Sequence, residues 1–169
     1  MTSEGHVEST IKIAQTGLPI VYAIIGGNPK YFQKLIQAYR EIGSESGFAS
    51  DQLKVGAHSW GWIAEDGEQA VREYFHPTKQ VVDAISKDRP HWQEMTYEQY
   101  LEQVGPNGAM FVGNPDQVAE KLIQMIETLQ LDRFMLHLPL GSMPHEQVLK
   151  AIELFGKEVA PKVRAHFEK

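Results

Sequence analysis

The residues best equipped for chemistry fall in one apolar stretch, LKVGAHSWGWIA, from Leu53 to Ala64. An imidazole titrates near neutral pH and can give or take a proton, which makes His58 the first catalytic candidate. In an extended chain, alternation puts His58 and Trp60 on one face and Ser59 on the other. The same pattern also fits a core histidine whose hydrogen bond is satisfied. Gly26 and Gly27 end a second apolar run, where glycine either lets a ligand approach the backbone or simply makes the turn. His137 stands near the end of DRFMLHL, and the pair His145-Glu146 opens a helix, where polar residues more often cap than catalyse. His76 and His91 lie 15 residues apart, the latter beside Trp92, without a carboxylate partner. No two histidines are four residues apart, and neither a GxSxG nor a P-loop pattern occurs. With no cysteine there is no thiol nucleophile, disulfide or cysteine metal site. No metal is expected.

These candidates need elements to hold them. Pro19 to Ile25 (PIVYAII) and Leu53 to Ala64 read as strands, as does Asp132 to Leu138. Continuous β-branched runs of this kind suit a parallel sheet buried on both faces. Helices fall between them. Val7 to Thr16 ends at Gly17, a suitable residue past a helix end. Asn28-Pro29 opens a helix with an apolar stripe through Tyr31, Phe32, Leu35, Ile36 and Tyr39. Asp66 to about Lys87 is helical, with Pro77 expected to kink or divide it. From Asp88 to Gly108 the period is lost except around Tyr97, Tyr100, Leu101 and Val104, so 88–108 reads as an insertion carrying a short helix. Gly113-Asn114-Pro115 opens another helix, with Val118, Leu122, Ile123, Ile126 and Leu129 on its apolar side. Met143 to Phe155 is the next helix, and Lys157 to Lys169 extends it near Pro161. The two Gly-Asn-Pro junctions, each followed by KLIQ, are a faint echo; shared turn chemistry explains them as well as duplication does.

The 169 residues fit one α/β domain over 1–169. At 42% hydrophobic and 22% charged the composition is ordinary for a globular chain. A formal net charge of −6, without a basic stripe, argues against nucleic acid as a partner. No apolar stretch approaches the roughly 20 residues that span a bilayer, so no membrane partner is expected. MTSEGHVEST lacks the positive start and apolar segment of a signal peptide. A cytoplasmic home is the expectation.

GLPIVYAIIGGNP (17–29), LKVGAHSWGWIAEDGEQA (53–70), FVGNPDQVAEKL (111–122) and LDRFMLHLPLGSMPHEQVLKAIELFG (131–156) occur in this order. Together they resemble the C-terminal half of the bacterial luciferase-like, flavin-dependent monooxygenases, and with the intervening stretches they cover nearly the whole chain. The resemblance implies a partial TIM-type (β/α)8 barrel, with the three strands above as its sixth, seventh and eighth. A closed barrel needs eight strands and about 250 residues. The fifth strand would fall at MTSEGH and be missing or vestigial.

The family binds FMN, or in some branches a deazaflavin, at the C-terminal ends of the strands. By resemblance His58 would serve as proton donor or acceptor, Trp60 would touch substrate, and Gly26 and Gly27 would border the flavin. A family turn that holds the flavin phosphate corresponds to Glu4-Gly5-His6-Val7-Glu8-Ser9, so Gly5, His6 and Ser9 would be its contacts. Glu4, His6 and Val7 depart from the family pattern, and a carboxylate beside a phosphate is unfavourable. The implied activity is oxygenation of a small organic substrate with reduced flavin and O2, absent from this half alone. A non-catalytic truncated flavoprotein or self-associating relic, and a split enzyme completed by another chain, are the alternatives. Val21, Ala23 and Ile25, with Phe134, Leu136 and Leu138, are expected on an open barrel face that would drive homo-oligomer formation.

Overall fold

The computed structural model describes residues 2–3, 5–89 and 92–168, so Glu4 and His91 lie outside the described residues. Five strands, all parallel, form one sheet: β1 (Thr2–Ser3), β2 (Ile20–Ala23), β3 (Val55–Ile63), β4 (Phe111–Gly113) and β5 (Arg133–His137). Three are the expected strands. β1 is the vestigial one, pairing Thr2 with Val21 and Ser3 with Tyr22. β3 is the spine: β2 pairs with Val55 to His58, β5 with Gly56 to Trp60, and β4 with Gly61 to Ile63.

The helices are α1 (Val7–Ala14), α2 (Phe32–Glu45), α3 (Gly67–Asp88), α4 (Tyr97–Val104), α5 (Pro115–Leu129), α6 (His145–Leu154) and α7 (Ala160–Phe167). Gly17, at φ +65°, completes the turn after α1. The two Gly-Asn-Pro junctions share their capping chemistry but diverge afterwards. Asn28 Oδ1 accepts from Lys30 N and opens a 3₁₀ turn over Pro29–Tyr31 before α2. Asn114 accepts from Gln117 N while Gln117 Oε1 accepts from Asn114 N, a reciprocal cap that starts α5 directly.

Of the two expected effects of Pro77, division of the helix does not occur: α3 runs unbroken for 22 residues. Its buried face, Ala70, Tyr74, Thr78 and Val82, recurs every four residues, and packing along that stripe outweighs the one lost backbone bond. Pro161 is accommodated differently. A π turn over Phe155–Val159 joins α6 to α7 and places the proline in the first turn of α7, where no N–H is needed.

Lateral pairing assigns the two faces of the sheet. Ile20, Tyr22 and Ile24 lie with Val55 and Ala57 on the face covered by α1, α2, α5 and α7. Phe134 and Leu136 pack into this same cluster. Val21, Gly56 and Arg133 are lateral partners on the other face, followed by Ala23, His58 and Met135 and then by Trp60 and His137. The expectation that Phe134, Leu136 and Leu138 join Val21 and Ala23 on the open face is therefore wrong. Arg133, Met135 and His137 occupy it instead, and Leu138 is buried in the second cluster.

That second cluster covers only the end of the open face nearest the strand C-termini. Trp60 and Trp62 pack there with Ala70, Tyr74 and Val82 of α3, Tyr100 of α4, and Leu138. Trp62 stacks on Tyr74 at 5.9 Å and donates Nε1–H to Glu73 at 2.9 Å. Burying a large side chain of this kind contributes about 1.5–3 kcal/mol. Met95 and Tyr100, both within 88–108, are buried members of this cluster.

Candidate functional site

Beyond its last paired residue, β2 continues through Ile24 and Ile25 to Gly26-Gly27. Ile24 N donates to His58 O at 2.8 Å, and Ser59 Oγ donates to Ile24 O at 2.8 Å. These bonds fix the strand end beside the middle of β3. Gly27, at φ +75°, then turns the chain away, leaving both glycines exposed. A Cβ at either would meet nothing within 4 Å, so this backbone is open to an approaching ligand.

Gly26, Gly27 and Trp60 line one cavity of about 430 Å³ at the C-terminal ends of the strands. Its opposite wall comes from the stretch between α3 and β4: Trp92, Gln93 and Met95, then Gln99, Glu102 and Gln103 of α4. Ile25, Val82 and Met110 complete the lining. Such placement outside the carboxyl ends of parallel strands is where α/β folds bind ligands.

The wall is held by polar bonds to its backbone. Asp83 on α3 accepts from Met95 N at 2.9 Å, and Lys79 bridges Asp83 and Met95 O at 2.6 and 3.1 Å. The Lys79 hydrogen bond is the main cause holding the Asp83 carboxyl below its ordinary value, against an opposing effect of burial. On the other side Lys121 of α5 points its ammonium at four carbonyls: Gln103 at 3.4 Å, Val104 at 3.0 Å, and Gly105 and Met110 at 2.7 Å each. It also stands 5.3 Å from the Phe111 ring centroid. Burial pushes the Lys121 amine down to about 7. Thr96 and Gln99 cap the start of α4 reciprocally.

His58 does not line this cavity. It sits two residues before Trp60 on the same face, half-buried, its ring 5.7 Å from that of His137 at 29°. Burial, then the neighbouring His137, lowers its pKa from the ordinary value, which favours a neutral imidazole able to accept a proton. His76 contacts Gln80 on the surface of α3. Among the described residues no cluster of three or more His, Cys, Asp or Glu could hold a metal.

Gly5, His6 and Ser9 are also outside the cavity lining, at the start of α1. Because β1 is parallel to β2, they stand at the same end of the sheet as Gly26. Ser9 Oγ donates to His6 O at 3.0 Å, and Gly5 packs against the Phe32 ring. Sequence reasoning found the floor of the cavity and missed its wall. The one available signal there was the Thr96-x-x-Gln99 cap placed just after Trp92 and Met95.

No helix of the described residues is long and apolar enough to cross a membrane. No family model matches the sequence, and no curated protein matches it. Solved structures do. Monooxygenase RslO1 from Streptomyces bottropensis superposes with a TM-score of 0.77 at 18% identity, over 95% of this chain and 46% of its own. The coenzyme F420-dependent tetrahydromethanopterin reductase from Methanopyrus kandleri gives 0.66 at 19% identity, over 95% and 49%. The oxygenating constituent of 3,6-diketocamphane monooxygenase from Pseudomonas putida, in complex with FMN, gives 0.63 at 17% identity, over 96% and 47%. The chain spans about half the length of the structures it matches. At these identities the likeness establishes architecture: this chain has the fold of half a luciferase-like monooxygenase barrel.

Proposed function

We propose that the chain forms one half of a flavin-dependent oxidoreductase of the luciferase-like kind, a cytoplasmic enzyme that oxygenates a small organic substrate using reduced flavin and O2. The carrying observation is the cavity at the strand C-termini, bordered by Gly26, Gly27 and Trp60. Neighbours of the same fold include monooxygenases, one in complex with FMN, and an F420-dependent reductase.

The residues present fit a flavin. The exposed Gly26-Gly27 backbone would border the ring edge, and the start of α1 would offer Gly5, His6 and Ser9 to the phosphate. FMN or a deazaflavin would supply the oxygen or hydride chemistry when bound. The protein's own part is to hold substrate against Trp60, exclude water with the α3–α4 wall, and move a proton at the imidazole of His58.

Half a barrel encloses half a site, so the isolated chain is proposed to be inactive until its open face is closed by a second copy or by a companion half-barrel. Met135 is 39% exposed there, flanked by exposed Arg133 and His137. This face is less apolar than Phe134, Leu136 and Leu138 would have made it, so the drive to self-associate is correspondingly weaker. A second reading, a self-associating relic that holds no flavin, gains support from Ser9, whose hydroxyl is already donated to the His6 carbonyl. Titrating FMN into the purified chain, with fluorescence quenching and light scattering read together, tests the proposal. Saturable micromolar binding by a dimer supports it. Absence of binding to chain at high concentration, with or without dimerisation, sinks closure of the site by a second copy.

A further inference from the structure

The cavity has an electrostatic character that limits its ligand. Trp60 and Trp92 supply aromatic faces, and Met95 and Met110 supply polarisable thioethers that adapt to irregular shapes. Three glutamine amides, at positions 93, 99 and 103, add hydrogen-bond donors and acceptors. Among the described residues Glu102 is the one charged residue of the lining, and no described lysine, arginine or histidine contributes to it. Of the cations that brace the wall, Lys79 is turned onto Asp83 and the Met95 carbonyl and Lys121 into its carbonyl cage. Arg133, His58 and His137 lie on the open sheet face, outside the lining.

From this we infer that the cavity takes an uncharged or cationic aromatic molecule and discriminates against organic anions. The inference rests on reading the cavity as the substrate pocket and adds the substrate's chemical class. An organic anion would meet no cationic side chain among the described lining residues and would face the Glu102 carboxylate. A cation would meet that carboxylate together with the π faces of tryptophan, a combination that recognises organic ammonium groups. A neutral aromatic would gain from burial alone, with the amides setting its orientation.

Three probes of one shape and different charge test this by calorimetric titration into the 169-residue chain: 2-naphthylmethanol, 2-naphthylmethylamine and 2-naphthoate. The neutral and ammonium probes should bind saturably, with 2-naphthoate at least tenfold weaker than either. Glu102→Gln should narrow the preference of cation over anion about tenfold, since an exposed carboxylate changes each affinity by about three- to fivefold in opposite directions. Trp92→Ala, a half-buried position, should weaken all three probes while circular dichroism stays unchanged. Equal or tighter binding of 2-naphthoate overturns the inference, as does an unchanged ratio in Glu102→Gln or failure of all three probes with a folded chain. FMN titrated into the same preparation separates the two readings. FMN binding without probe discrimination removes the substrate class alone, whereas probe discrimination without FMN binding removes the flavin reading alone.

Discussion

Replacing Lys121 by methionine keeps the aliphatic stem and removes the amine, and its effect on stability should depend on pH. The charged amine loses hydration on burial, and a fall from the ordinary 10.5 to about 7 corresponds to roughly 5 kcal/mol against the charged folded form. Against this, three N–H donors face four carbonyls, and hydrogen bonds from a charged donor contribute about 1.5–3 kcal/mol each. Gln103 and Val104 belong to the last turn of α4, where carbonyls have no donor further along their helix. The lowered pKa means that lost hydration outweighs these bonds while the amine is charged, so Lys121→Met should cost less at pH 6 than at pH 9. Between pH 7 and the ordinary lysine range the folded chain has released a proton that the unfolded chain retains. Unfolding then takes up a proton, and wild-type stability rises with pH by up to roughly 1.4 kcal/mol per unit relative to a variant that does not titrate there. Urea unfolding of wild type, Lys121→Met and Lys121→Arg at pH 6, 7, 8 and 9 measures this. The gap between wild type and each variant should widen above pH 7, while the two variants keep a constant difference. A gap that stays constant from pH 6 to 9 would refute the reasoning, because it would mean that the carbonyls hold the proton on Lys121 despite burial.

Three further outcomes follow from the hydrogen bonds. Asp132 accepts from Val55 N at 2.9 Å and Lys54 Nζ at 3.0 Å, tying the start of β5 to the start of β3. Asp132→Ala should cost about 2 kcal/mol and lower the melting temperature by about 4–8 °C in scanning calorimetry. Gln130 ends α5 in the left-handed region at φ 52°, a conformation that glycine adopts without strain. Gln130→Gly should stabilise by about 0.5 kcal/mol in urea, less than the full relief because the exposed Arg40 bond to Gln130 Oε1 is lost while that to its carbonyl remains. Asp83→Ala should reduce the hydrogen-exchange protection of the Met95 amide. Because the Asp83 pKa is lowered in the folded chain, its contribution is complete above the ordinary carboxylate range and lost as pH falls through the folded value. Wild-type protection should therefore approach that of the variant in acid, and equal protection at neutral pH would contradict the clamp.

Where burial follows an apolar period, the sequence carried the structure plainly. β2 and β3 announced themselves as β-branched runs, α5 as a stripe from Val118 to Leu129, and the cavity floor as the residues closing those strands. The faces were harder. β5 has apolar residues of both parities, Phe134 and Leu136 against Met135, and only the pairing of Gly56 with Arg133 decides which set faces the helices. That register belongs to contacts about 77 residues apart in sequence, beyond any local pattern. A two-residue β1 is likewise a strand only through its partner.

The cavity wall was illegible for a different reason. Its backbone is fixed by side chains reaching carbonyls and amides, Asp83 and Lys79 at Met95, Lys121 at positions 103–105 and 110. Such bonds impose no period, so hydrophobic spacing showed in this stretch only the short helix around Tyr97, Tyr100, Leu101 and Val104. The physical consequence is that the wall has supports the floor lacks. Both share the cluster of Trp60, Met95 and Tyr100, but the wall is braced in addition by two lysines and one aspartate. Removing the Lys121 amine or the Asp83 carboxylate should therefore loosen the α4 side of the cavity while leaving Gly26, Gly27 and Trp60 in place. Probe affinity would fall further than global stability, and the exchange rates of amides in β2 and β3 would not change with it.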